Sequence, residues 1–205
     1  MKLNLPLWAQ IGANLLSLVL ALVMGWDPVL MLFLFWMENV IIGLWQIPRF
    51  LTADGNQPGS QLQRLSGALF KAGFFTVHYG LFTFIHGSLL FELFLKQSLD
   101  VQTLEKLVFS TQGIGLALLG MFLSHGIQFF SDLLSGVARN TPIDTVMMEP
   151  YSRIVILHLV LLASAFLLTL LPNPVIGVIL LSAIKIIMDI HNERKIEKKR
   201  EAHVS

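Results

Sequence analysis

The chain has 205 residues, of which 55% are hydrophobic and 13% charged, with a net charge of +1. A soluble domain carries about 25% charged residues, so this chain cannot cover a water-facing surface, and a mean hydropathy of +0.71 points to a polytopic membrane protein. The absence of cysteine excludes disulfides, thiolate metal ligands, Fe–S clusters and a cysteine nucleophile, and the dispersed basic residues offer no patch for nucleic acid.

The expected fold is an all-α bundle of six transmembrane helices, because six apolar segments approach the length of about 20 residues that crosses a bilayer. In chain order they are about Leu5–Met24, Val29–Phe50, Leu69–Leu93, Gly113–Gly136, Tyr151–Leu171 and Pro174–Ile190. The run after Lys2 is too long for a signal-peptide core and lacks an A-x-A-like exit, so it reads as a retained first helix. Pro28, Pro150 and Pro174 stand at or near helix starts, where a missing N–H costs nothing. Leu62, Leu65 and Leu69, and then Leu104, Leu107 and Val108, recur at helical spacing and read as short interfacial turns. Thr141-Pro142 has the form of a cap and first position of another. One integral-membrane domain covers 1–205, ending in a charged tail over 191–205.

Lysine and arginine bias sets the orientation. With the N-terminus inside, eleven basic residues, among them Arg49, Arg64, Lys71, Arg139 and Arg153, lie on the inner side, against Lys96 and Lys106 outside. Both termini are therefore expected in the cytoplasm, with the protein in the inner (plasma) membrane and the lipid bilayer as its first partner.

Three stripes of small or polar residues mark packing faces. Gln10, Asn14, Ser17 and Ala21 line the first helix, and their simplest role is interhelical hydrogen bonding. Gly73, Gly80 and Gly87 repeat every seven residues on the third helix, and Gly113, Ala117, Gly120, Ser124, Gln128, Ser131 and Ser135 follow one face of the fourth. The two helices are expected to pack on each other or on a common neighbour. Beside these seams lie His78, His86, His125 and Asp132.

Intramembrane ionisable groups are functional candidates by default. From the cytoplasmic helix ends, His78, His158 and Lys185 fall about 10 Å deep, Glu38 and His125 about 15 Å, and His86 about 20 Å, at 1.5 Å per residue. Asp132, Arg153, Asp189 and His191 are shallower. His78 is thus grouped with His158 and Lys185, His86 with Glu38 or His125, and Arg153 with Asp132 or Asp189. Lys185 and Asp189, four apart, are expected to neutralise each other.

Trp36-x-Glu38-Asn39, Phe75-x-x-His78-Tyr79-Gly80 with His86-Gly87, Pro150-Tyr151-x-Arg153-Ile154-x-x-Leu157-His158 and Lys185-x-x-x-Asp189-x-His191 span most of the chain. In these motifs it resembles an uncharacterised family of small bacterial and archaeal integral-membrane proteins, defined only as a domain of unknown function. The resemblance implies a multi-helix membrane protein in which these polar motifs are the shared feature, and it assigns no activity.

Four chemistries fit the residue types. A metal site would draw on His78, His125, His158 and Asp132, with zinc or iron suited to the ligands and Glu38, or His78, serving a catalytic role in a membrane hydrolase acting on a membrane-soluble substrate. No H-E-x-x-H and no G-x-S-G context is present. Haem held between His78 and His158 would leave the carboxylates unexplained. A proton relay through Glu38, the histidines and Asp132 would serve proton- or ion-coupled transport. A polar network that only fixes helix register accounts well for Arg153, Lys185 and Asp189, and less well for His78, His86 and Glu38.

Overall fold

The computed structural model describes residues 5–53 and 60–170, together with 179, 182–184 and 186–187. Lys185, Asp189 and His191 lie outside the described residues, as does most of the expected sixth segment. In chain order the elements are α1 (Leu5–Val23), α2 (Pro28–Thr52), α3 (Gln61–Leu90), α4 (Val101–Glu105), α5 (Ile114–Leu134), α6 (Val137–Asn140) and α7 (Ile143–Leu170). Phe91–Leu95 and Lys106–Ser110 extend α3 and α4 as π-helical turns. The described residues are all-α. Among them four helices, not six, are long and apolar enough to cross a membrane: Leu5–Val23, Pro28–Thr52, Gln61–Leu95 and Ile114–Leu134.

Local chemistry sets most of the boundaries. The Asp27 carboxylate accepts the Val29 N–H at 2.8 Å while Pro28 occupies the first helical position, so α2 starts where the sequence places it. Ser60 and Gln63 form a reciprocal capping box at the head of α3. The helix is continuous from there, so Leu62, Leu65 and Leu69 belong to its first turns and do not form a separate interfacial piece. Lys96 reverses the chain with a φ of 54°. Asp100 then caps α4 by accepting the Thr103 N–H at 2.8 Å, and Leu104, Leu107 and Val108 pack on the main core.

α7 corrects the expected start at Tyr151. The helix begins at Ile143 and carries Pro150 in its interior. A proline there deprives the Val146 carbonyl of its i+4 donor, a defect that costs about 3 kcal/mol or more in an isolated helix. The buried Gln46 amide, on α2, donates to that carbonyl instead.

α2 is the common neighbour, packed against α3, α5 and α7. Its Trp36 indole donates to the Thr83 carbonyl at 2.7 Å, and its Trp45 indole to the Phe122 carbonyl at 3.1 Å. Each ring lies over a glycine, Trp36 on Gly87 and Trp45 on Gly126, where an added Cβ would come within 2.6 and 2.8 Å of the indole. The glycine stripe of α3 therefore divides: Gly87 is closely packed, while Gly73 and Gly80 face open space. One apolar cluster gathers Met31–Trp36, Phe91, Ile114, Met121 and Leu157, and a second gathers Phe50, Phe75, Tyr79, Ile143, Val146 and Ile154. Large apolar side chains such as Val19, Val77, Leu81, Leu123 and Leu134 cover the outside, as a bilayer requires.

Replacing Gln46 by leucine should cost about 1–3 kcal/mol, the usual penalty for stranding a buried acceptor. In a Pro150→Ala background the restored N–H serves Val146, and the cost of Gln46→Leu should shrink. Thermal melts of the four proteins in detergent measure this coupling, and equal costs in both backgrounds would exclude the assignment.

Candidate functional site

The contacts between helices fix their directions. Lys71–Asp144, His78–Tyr151 and His86–His158 are separated by 73, 73 and 72 residues, so α3 and α7 run parallel in near-constant register. Successive pairs stand about two turns, or 10 Å, apart along the axes. Lys71 meets Asp144 at 2.5 Å, at the exposed end. His78 Nδ1 meets the Tyr151 hydroxyl at 2.7 Å, its ring stacked on Phe74 and flanked by Phe82. His86 Nε2 meets His158 Nδ1 at 3.0 Å with the two rings nearly perpendicular.

His158 therefore pairs with His86, not at the level of His78. The early start of α7 explains the difference, because two extra turns carry His158 about 12 Å deeper than a helix starting at Tyr151 would. The protons of the pair can be assigned from its partners. The Phe82 carbonyl, 2.7 Å from His86 Nδ1, only accepts, so Nδ1 carries a hydrogen. In the neutral pair His86 Nε2 then accepts from His158 Nδ1–H, which leaves the lone pair on His158 Nε2.

Glu38 forms the second centre. The buried carboxylate, near the middle of α2, accepts from His125 Nε2 of α5 at 3.2 Å and lies 4.0 Å from the Arg153 guanidinium of α7. With its amide turned to satisfy both groups, Gln10 of α1 accepts from Arg153 at 3.0 and 3.3 Å. Four helices thus converge on one ion pair. Beside it a void of about 30 Å³ is lined by Glu38, Asn39 and Arg153, among apolar neighbours. The Tyr79 hydroxyl of α3 donates to the Asn39 carbonyl at 3.2 Å on the same stretch of α2.

Asp132 has a cation of its own. It takes Arg49 in a 2.8 Å ion pair between α5 and α2, and Arg153 turns to Glu38 instead. His86 likewise answers to His158, and among the described residues His125 is the histidine that meets Glu38. His78, His125, His158 and Asp132 each end on a different partner, and no three metal-ligating side chains group among the described residues. The edge-to-face arrangement of His86 and His158, in direct hydrogen bond, leaves no gap for a porphyrin between them. Arg49 and Gln46 join the polar interior without standing out in the motifs, while Gln10, Tyr79 and Asn39 are in view in the sequence but without their partners. The one signal that could have exposed Gln46 is Pro150, whose orphaned carbonyl requires a donor.

Membrane-length helices around a paired polar interior define the class: an α-helical protein suited to a bilayer. The chain belongs to DUF6498, a family of unknown function whose model matches residues 1–205. Neither a curated protein nor a solved structure matches it.

The proton assignment is open to ¹⁵N NMR of the histidine-labelled protein. His86 and His158 should both show protonated Nδ1 and unprotonated Nε2 at a pH where the pair is neutral. An Nε2–H tautomer at His86 would rule the assignment out.

Proposed function

We propose that the protein is a multi-pass protein of the plasma membrane, a single domain with both termini cytoplasmic, whose Glu38–His125–Arg153 centre binds and releases protons in proton- or ion-coupled transport. The observation that carries this reading is the sharing of one buried carboxylate between a permanently charged guanidinium and a titratable imidazole. Arg153 alone would neutralise Glu38. The added imidazole lets the centre take up one proton while the ion pair stays intact, which a purely structural pair does not need. The unprotonated His158 Nε2 supplies a second acceptor, one helix contact away on α7.

Six spans remain part of the proposal. The parallel register of α7 with α3 supports α7 as the fifth, and 174–190 would be the sixth. Since the chain has no cysteine, single substitutions report on the orientation directly. In intact cells Lys96→Cys should react with a membrane-impermeant maleimide and Arg64→Cys should react only after lysis. The reverse pattern would invert the topology.

A second reading rests on the void beside Glu38. Its volume of about 30 Å³ is enough to hold a single water. Glu38 would act there as a base toward that water in a membrane hydrolase.

Proton flux into liposomes separates the two. Glu38→Gln and His125→Ala should each reduce flux to the leak of empty liposomes while the protein keeps its fold. If wild-type protein conducts no protons under any imposed ion gradient, the transport reading fails. Release of fatty acid from the liposome lipid, lost in Glu38→Gln, would then favour the hydrolase.

A further inference from the structure

On the other side of the α2–α3 contact lies a larger space that the Glu38 centre does not use. It is a groove of about 400 Å³ between Trp36, Gly43 and Ile47 of α2 and Phe75, Gly80 and Thr83 of α3. Its size falls within the range of about 300–1,000 Å³ typical of small-molecule sites. From Trp36 to Ile47 the groove follows roughly 16 Å of helix. Gly80 helps to keep it open, since a Cβ there would meet nothing within 4 Å. Leu99, Asp100, Val101 and Leu104, from the connection between α3 and α5, also line it, and the packing of Leu99 and Leu104 on the cluster of Trp36, Leu90 and Phe91 sets them at the end nearest the C-terminus of α3.

Three observations identify an occupant. The walls are apolar and belong to two helices of membrane-crossing length, so a hydrocarbon chain is the ligand the surroundings supply. Thr83 is buried, and apart from a loose contact with the Tyr79 hydroxyl its own hydroxyl has no hydrogen-bond partner among the described residues. A hydroxyl without a well-formed bond in such a place costs up to about 1–3 kcal/mol, a cost that a ligand oxygen at this point removes. Asp100 stands at the same end as a carboxylate, held below the usual carboxylate range by the bonds it accepts from the Thr103 backbone N–H and hydroxyl. An anionic head group is repelled there, and a head carrying hydroxyl donors is not.

We infer that the α2–α3 groove binds a lipid with a single hydrocarbon chain and an uncharged, hydroxyl-bearing head, with the head at Thr83 and Asp100 and the chain running toward Phe75 and Ile47. Tyr79 forms the wall between this site and the Glu38 centre, lining the groove with its ring while its hydroxyl holds Asn39. The inference does not depend on what Glu38 does.

Native mass spectrometry of the full chain released from detergent tests it, with 1-monoolein as the probe and oleate as the charged comparison. Wild-type protein should retain one monoolein per chain and hold oleate more weakly. Gly80→Leu should abolish the adduct by filling the groove. Gly73→Leu, on the same helix at an equally open position outside the groove, should leave it unchanged. Thr83→Val should weaken binding about threefold to tenfold, the worth of one hydrogen bond, while the lipid-free protein melts close to wild type because only the loose contact with Tyr79 is lost. No adduct on wild type, or an adduct that survives Gly80→Leu, would overturn the site. Equal retention of oleate, or an adduct indifferent to Thr83→Val, would overturn the assignment of the head group.

Discussion

The parallel register of α3 and α7 is the constraint on which the interior depends. Three contacts at almost the same sequence separation, Lys71–Asp144, His78–Tyr151 and His86–His158, hold the two helices side by side. Sliding α7 by one residue would rotate its polar stripe by about 100° and break all three. Arg153 faces α2 because Tyr151 and His158 face α3, so the contact with Glu38 follows from the same register. Apolar packing alone would tolerate several such alignments, and polar pairs select one.

α2 supplies the other half of the specification. It lies between α3, α5 and α7 and gives each of them a hydrogen bond to a backbone carbonyl, through Trp36, Trp45 and Gln46. These donors aim at main-chain atoms, so they fix the height of each helix whatever side chain sits at the receiving position. The glycines under Trp36 and Trp45 let the indoles approach closely enough to reach those carbonyls. Around this helix the Glu38 centre and the lipid-sized groove lie on opposite sides of one tyrosine.

Features governed by near neighbours in sequence were legible there. Asp27 with Pro28 marks the start of α2, and the Gln10, Asn14, Ser17 and Ala21 stripe is buried on α1 as its spacing indicates. The importance of Glu38, His86 and His158 was equally visible, because ionisable groups in apolar helices must find partners. Which partner each finds was not. That depends on where helices begin, and Pro150 misled because its missing donor is replaced by Gln46, 100 residues away. The error then moved His158 by two turns and paired it with the wrong histidine. The glycines of α3 failed for a related reason: a heptad repeat shows which residues share a face, but only the position of Trp36 decides that Gly87 is covered and Gly80 is not.

The Gln46–Val146 bond also bears on how the chain is assembled. Until α7 meets α2, the middle of α7 has a carbonyl with no donor, and in hydrocarbon that group is costly. α2 is synthesised some ninety residues before α7 and presents Gln46 on the face that α7 will occupy. If α7 crosses the membrane as proposed, it is favoured to leave the insertion machinery directly onto α2 instead of equilibrating first in lipid as an independent helix. The proline would then make α7 a segment whose stable insertion is conditional on an earlier one, with the early part of the chain acting as the template for the late part.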